Sequence, residues 1–179
     1  MTRIILIGYR GTGKSTVGRR LAERLGVPTW DSDSEVERRA GKTIAEIFAL
    51  DGEATFRDLE VKAIADFFRQ DAFVLATGGG AILREETRQR LRQNGHVVLL
   101  TAEPKTILQR IRGDKTSATM RPNLTSLPPL EEVVAVLEKR WPLYVEAAHQ
   151  TVETDGKDVE QVIQEILAFR KEMTPFRAC

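Results

Sequence analysis

Eight consecutive residues, Gly8-Tyr9-Arg10-Gly11-Thr12-Gly13-Lys14-Ser15, match the pattern G-x-x-x-x-G-K-[ST]. Each fixed position has a physical reason. The glycines let the chain curl so that successive N–H groups point at phosphate oxygens. Lys14 brings a flexible point charge to the terminal phosphates, and Ser15 a hydroxyl suited to Mg²⁺. A helix opening at Ser15 adds the partial positive charge of its N-terminus. Gly11, Thr12, Gly13, Lys14, Ser15 and Thr16 are therefore the expected contacts to a nucleotide's phosphates. Such a loop serves an ATPase, a GTPase or a small-molecule kinase equally well. Residues further along must decide.

Asp31-Ser32-Asp33 places two carboxylates at i and i+2. One can reach a metal through water while the other accepts a proton from an attacking hydroxyl. Either Asp could instead cap the helix that follows. In Gly52-Glu53-Ala54-Thr55-Phe56-Arg57-Asp58-Leu59-Glu60, Arg57 and Glu60 are three apart and can pair on a helix, and a surface ion pair is the plainer reading. Gly78-Gly79-Gly80 suits a place where main chain must touch a ligand, or a simple loop. Arg121 in Thr119-Met120-Arg121-Pro122 and Arg140 in Lys139-Arg140-Trp141-Pro142-Leu143-Tyr144 are, taken singly, an ordinary loop cation and an ordinary helix cation.

Short apolar runs alternate with longer amphipathic ones, the pattern of a parallel α/β sheet. Ile4 to Ile7 reads as a buried strand, and Ser15 to Leu25 as a helix with Val17, Leu21, Ala22 and Leu25 inward. A short strand precedes Asp31 and a helix spans Ser34 to Ala40. The next helix starts at Thr43, where Thr43 and Glu46 form a capping box. A longer one runs from about Ala54 to Gln70, with Leu59, Ile64 and Phe67 or Phe68 inward. Ala72 to Ala76 and His96 to Leu100 are strands, with the charged surface helix Glu85 to Gln93 between them. Pro104 to Ile111 is helical, Arg112 to Leu130 lacks periodicity, and Glu131 to Ala148 is a helix with Pro142 as a point of bending. Gln150 to Glu153 is the last strand and Val159 to Lys171 the closing helix. The expectation is one doubly wound domain.

Composition agrees with that class. At 179 residues the chain suits a single core, and 27 Lys and Arg against 26 Asp and Glu argue against a dedicated nucleic-acid binder. The charged helix around Arg84 to Arg92 is interrupted by Glu85 and Glu86, as a solvated face would be. A lone cysteine, Cys179, rules out a disulfide framework and a cysteine zinc site and fits a reducing compartment. Its apolar runs are too short for a leader or a membrane span, so the cytoplasm is expected. His96 and His149 read as structural; Trp30 and Trp141 fit either core or contact surface.

Behind the phosphate loop come D-x-D, G-E-x-x-F-R-x-x-E, G-G-G, R-P and R-x-P-L-Y, and in this order the set resembles the shikimate kinase family. The likeness runs from the loop to the helix carrying Arg140 and on into the final strand and helix. It implies a single three-layer α/β/α domain over residues 1–179 with a five-stranded parallel sheet of order 2-3-1-4-5. Substrate-binding helices would span about 32–62 and a mobile lid about 112–126. The family transfers the γ-phosphate of ATP, with Mg²⁺, to the 3-hydroxyl of shikimate on the way to chorismate and aromatic amino acids.

Carried over by motif, Asp33 would hold the substrate hydroxyls and act as base, and Arg57 and Arg140 would clamp the carboxylate. The backbone of Gly78, Gly79 and Gly80 would approach the ring. Ser15 would bind the metal, with Asp31 reaching it through water. Arg121, on the lid, would swing over the phosphates beside Lys14. Arg110 resembles the residue that stacks on adenine, and Thr154 to Lys157 the adenine loop. ATP and shikimate are thus the expected partners of a monomer that binds neither nucleic acid nor membrane. The chain departs from the pattern between Arg110 and Arg121, where Lys115 to Met120 lengthen the lid, and at Asn123-Leu124, where paired leucines are common. A tolerated surface insertion accounts for the length better than a regulatory element does. The rival readings are a related kinase of another polyol, such as gluconate, and a nucleotide-binding module that has lost catalysis. The Arg57 and Arg140 pair and the filled catalytic positions speak against each in turn.

Overall fold

The computed structural model describes residues 2–113 and 127–173, the side chains of 170–173 excepted. Arg121, most of the expected lid and the tail beyond 173 lie outside the described residues. Five parallel strands form the sheet: β1 (Arg3–Ile7), β2 (Thr29–Asp31), β3 (Phe73–Ala76), β4 (His96–Thr101) and β5 (Gln150–Glu153). Their order is β2-β3-β1-β4-β5, as the resemblance implied.

Both faces of the sheet are covered, which explains why the central strands are apolar at successive positions. Ile4, Leu6, Val74, Val98 and Leu100 pack against α1 (Lys14–Leu25) and α8 (Val159–Met173). Ile5, Ile7, Phe73, Leu75, Val97 and Leu99 face α4 (Gly52–Phe67), α5 (Glu85–Asn94) and α7 (Pro129–Ala147). A satellite core of Val36, Ile44, Ile47, Phe56 and Ala63 joins α2 (Ser32–Ala40) and α3 (Ile44–Leu50) to α4. Helix α6 (Pro104–Gly113) and α7 meet over Tyr9, Ile107, Val133 and Val136.

Several boundaries move, each for a visible reason. Helix α2 begins at Ser32, two residues before expectation, because the Asp31 carboxylate accepts the N–H groups of Asp33 and Ser34. The Thr43–Glu46 capping box forms as expected. Helix α4 opens at Gly52 and ends at Phe67, which turns inward and stacks on Trp30 with centroids 5.1 Å apart. Trp30 is therefore half-buried and packed against the core, whereas Trp141 on α7 is 46% exposed. Leu59, expected inward, is half-buried, and its neighbour Glu60 is the residue at 2% exposure. Helix α7 opens at Pro129 and continues through Pro142 to Ala147 as one element. Among the described residues no helix is long and apolar enough to cross a membrane.

The two histidines meet at the amino ends of β4 and β5, rings 5.8 Å apart. His149 Nδ1 accepts the Val97 N–H at 3.0 Å, so its neutral form is the one the fold uses. Burial, with Arg92 and His96 nearby, holds its pKa below the ordinary 6.5. A base with a depressed folded pKa contributes stability above its unfolded value that is lost as pH falls. The urea midpoint should therefore drop as pH is lowered below 6.5, and less steeply in His149→Gln. Identical acid slopes for the two proteins would show that His149 is not the group responsible.

Candidate active site

Three loops leave the carboxyl ends of adjacent strands β1, β2 and β3, beside the point where the strand order reverses. The first is the phosphate loop. Gly11 and Gly13 adopt φ of 80° and 93°, and α1 opens at once with Lys14. Thr12 Oγ1 and Lys14 Nζ each donate to the Tyr9 carbonyl at 2.8 Å. Lys14 thereby lies across its own loop, over the concavity formed by the backbone.

The second loop ties the first to α2. Ser15 Oγ donates to Asp31 Oδ2 at 2.8 Å, while Asp31 Oδ1 caps the helix. Asp31 is thus the helix cap that its position suggested, and its second oxygen is held by Ser15. Ser32 Oγ then accepts the Gly78 N–H at 2.9 Å, fastening β2's loop to β3's.

A cavity of about 770 Å³ lies along the phosphate loop, and Asp31, Asp33, Arg110 and Lys157 complete its walls with Gly11 to Thr16. Arg110 is held by Thr154, through Oγ1 at 2.8 Å and the carbonyl at 3.0 Å. The Lys157 ammonium pairs with Glu165. A smaller recess adjoins it, lined by Arg57, Glu60, Gly78 to Gly80 and Arg140 together with the apolar Ile44, Phe48 and Phe56. The two share Arg10, Asp33, Ile44 and Gly79. Asp33 thus stands at the join of the larger cavity and the smaller recess, which is about 40 Å³.

Two of the three glycines, Gly78 and Gly80, sit among crowded side-chain ends. A Cβ on Gly78 would lie 2.5 Å from Asp33 Oδ1 and 2.7 Å from Glu60 Oε1. One on Gly80 would lie 2.5 Å from the Arg57 guanidinium. A side chain at either position would displace these charged groups from where they stand.

Arg57 and Glu60 are no surface pair: their side chains are 12% and 3% exposed, and Nη1 reaches Oε2 at 3.1 Å. Burial pushes the Glu60 carboxyl up to about 7, with the Arg57 charge opposing the rise. Arg57 also pairs with Glu53 at 2.9 Å and lies over the Phe56 ring. Arg140 Nη1 donates to the Gly79 carbonyl at 3.1 Å. Arg57 and Arg140 come from α4 and α7 into one recess. Arg121 lies outside the described residues.

Sequence reasoning missed Arg10, a cation inside the loop whose Nη2 meets the buried Glu132 carboxylate at 2.8 Å. It also gave no role to Ser32, although a serine between two aspartates was a usable signal. Nothing in the sequence pattern indicated that Phe48 would share a wall with Ile44.

Residues 10–171 match the family model described as shikimate kinase. The chain belongs to the shikimate kinase family. A shikimate kinase of Symbiobacterium thermophilum is 45% identical over 164 residues, covering 92% of this chain and 93% of its own. One from Pseudomonas savastanoi pv. phaseolicola is 43% identical over 175 residues, 98% of this chain and 99% of its own. The shikimate kinase of Acinetobacter baumannii solved in complex with shikimate superposes with a TM-score of 0.90 at 40% identity, covering 98% and 96% of the two chains. A gluconokinase from Sinorhizobium meliloti, 16% identical with a TM-score of 0.58 and coverage of 96% and 92%, shares the fold alone.

Proposed function

We propose that this protein transfers the γ-phosphate of ATP to the 3-hydroxyl of shikimate, giving shikimate 3-phosphate and ADP. The step serves chorismate and aromatic amino acid synthesis. The observation that carries the reading is the position of Asp33 between the two cavities, with Arg57 and Arg140 in the smaller one. Two guanidinium forks select a carboxylate by geometry as well as charge. The wall of Ile44, Phe48 and Phe56 suits the apolar ring carbons between that carboxylate and the hydroxyls.

Phosphoryl transfer asks mainly for positioning and charge stabilisation. Asp33 orients the attacking hydroxyl and takes its proton as the new O–P bond forms and the bond to ADP breaks. Lys14 leaves the Tyr9 carbonyl for the terminal phosphates, which offer it a charged acceptor. Arg121, from the lid, joins Lys14 there. Arg110 and Lys157 flank the adenine end of the cavity. Ser15 and Asp31 supply the hard oxygen donors that suit Mg²⁺, Asp31 through water. The ion, when bound, neutralises charge on the phosphates. The protein acts as a cytoplasmic monomer without nucleic-acid or membrane partners, in keeping with its balanced charge.

ADP release coupled to an indicator reaction tests the proposal, with shikimate and gluconate offered separately and in competition. The expected result is shikimate-dependent release and phosphorylated shikimate as product. A preference for gluconate would replace the acceptor. ATP binding with no phosphorylated product would make the protein a nucleotide-binding module.

A further inference from the structure

Two donors from one helix converge on one carbonyl oxygen. Arg140 and Tyr144 are four apart on α7, on the same face. Arg140 Nη1 reaches the Gly79 oxygen at 3.1 Å, and the Tyr144 hydroxyl reaches it at 2.7 Å. The shorter bond comes from Tyr144, which is 1% exposed and part of the core beneath the sheet, so it has almost no freedom to turn away. The longer comes from a guanidinium in the substrate recess. Gly79 itself is buried, and its carbonyl has two lone pairs to satisfy.

The proposed clamp requires Arg140 to serve a substrate carboxylate. A carboxylate is a stronger acceptor for a guanidinium than a neutral carbonyl is. When Arg140 turns to it, the Gly79 oxygen loses one donor. Without a second, a buried carbonyl would be stranded, and the penalty would be charged to substrate binding.

We propose that Tyr144 is a positioning residue for substrate recognition. Its hydroxyl holds the Gly79 carbonyl so that Arg140 is released to the carboxylate, and it keeps the glycine turn in place beside Asp33 as that exchange occurs. The sequence displays Tyr144 in R-x-P-L-Y, but nothing in the motif says what the phenol touches. The inference rests on the reading of Arg140 as a carboxylate ligand, and the experiment separates the two.

Tyr144→Phe removes one oxygen and keeps the ring that packs the core, so the variant folds; its dissociation constant for ADP reports that it has. Shikimate binding by calorimetry should weaken about tenfold, the scale of one deprived hydrogen bond, while ADP binding stays within about twofold. In an Arg140→Ala background the same Tyr144→Phe change should add less than about twofold, because the phenol acts through the arginine. In steady state the loss should appear in the KM for shikimate and leave kcat nearly unchanged.

Equal losses from Tyr144→Phe in both backgrounds would make the hydroxyl an independent structural contact and overturn the proposal. Unchanged shikimate affinity in Tyr144→Phe, with a large loss in Arg140→Ala, would overturn it while leaving the clamp standing. Unchanged affinity in Arg140→Ala would remove the clamp, and the proposal with it.

Discussion

Replacing Asp33 by Asn should lower kcat by about 10²–10⁴-fold, the usual contribution of a positioned general base. The amide keeps the shape of the side chain and can still hydrogen-bond a hydroxyl, but it cannot take the proton. The fold should survive. Asp33 contributes its backbone N–H to the Asp31 cap, which the substitution leaves intact. ATP affinity should change little, since the bonds of Thr12 and Lys14 to the Tyr9 carbonyl and of Ser15 to Asp31 use other groups. Single-turnover phosphorylation of shikimate, with the melting temperature as a check on folding, measures the effect. Near-normal turnover would remove Asp33 as base and as positioner.

Arg57→Ala should weaken shikimate binding by about 10–150-fold, the scale of a charge-assisted hydrogen bond, while ATP binding stays nearly intact. Loss of this arginine also strips Glu60 of its main opposing cation. The consequence has a definite sign. Glu60, raised from 4.5 to about 7, contributes stability that is complete below 4.5 and lost as pH rises through 7. Without Arg57 the carboxyl moves higher still, so it remains protonated at neutral pH and the variant folds. Its stability deficit against wild type should widen as pH rises above 7. Calorimetric titration with shikimate and urea denaturation across pH check the two arms separately. Unchanged shikimate affinity would end the assignment of Arg57 to the carboxylate, whatever the stability curves show.

The D-x-D aspartates show how far local sequence reaches. Their spacing offered cap or chemistry as alternatives, and in the fold Asp31 caps α2 while holding Ser15. Asp33, two residues on, lines both cavities. The choice disappeared because a carboxylate has two oxygens that point in different directions. Spacing cannot show where a second oxygen points. Glu60 is a sharper case: the i, i+3 pairing with Arg57 was legible, but its burial was not. Whether that face of α4 meets water depends on β3's glycine turn and on α7, which lie far away in sequence.

By itself the sequence determined whatever depends on neighbours along the chain. The glycine spacing built the phosphate loop, the Thr43–Glu46 pair started α3, and the apolar runs made strands buried on both faces. These follow from backbone geometry and hydrophobic periodicity, which act over a few residues. Only the tertiary structure decided which charges share a cavity. Arg57, Gly79 and Arg140 lie on α4, the loop after β3, and α7, and no short-range rule relates them. The parallel sheet brings them together, because its crossovers deliver every β-to-α loop to one edge. The same packing excludes water there, and so raises the Glu60 pKa and gives the short Tyr144–Gly79 bond its weight.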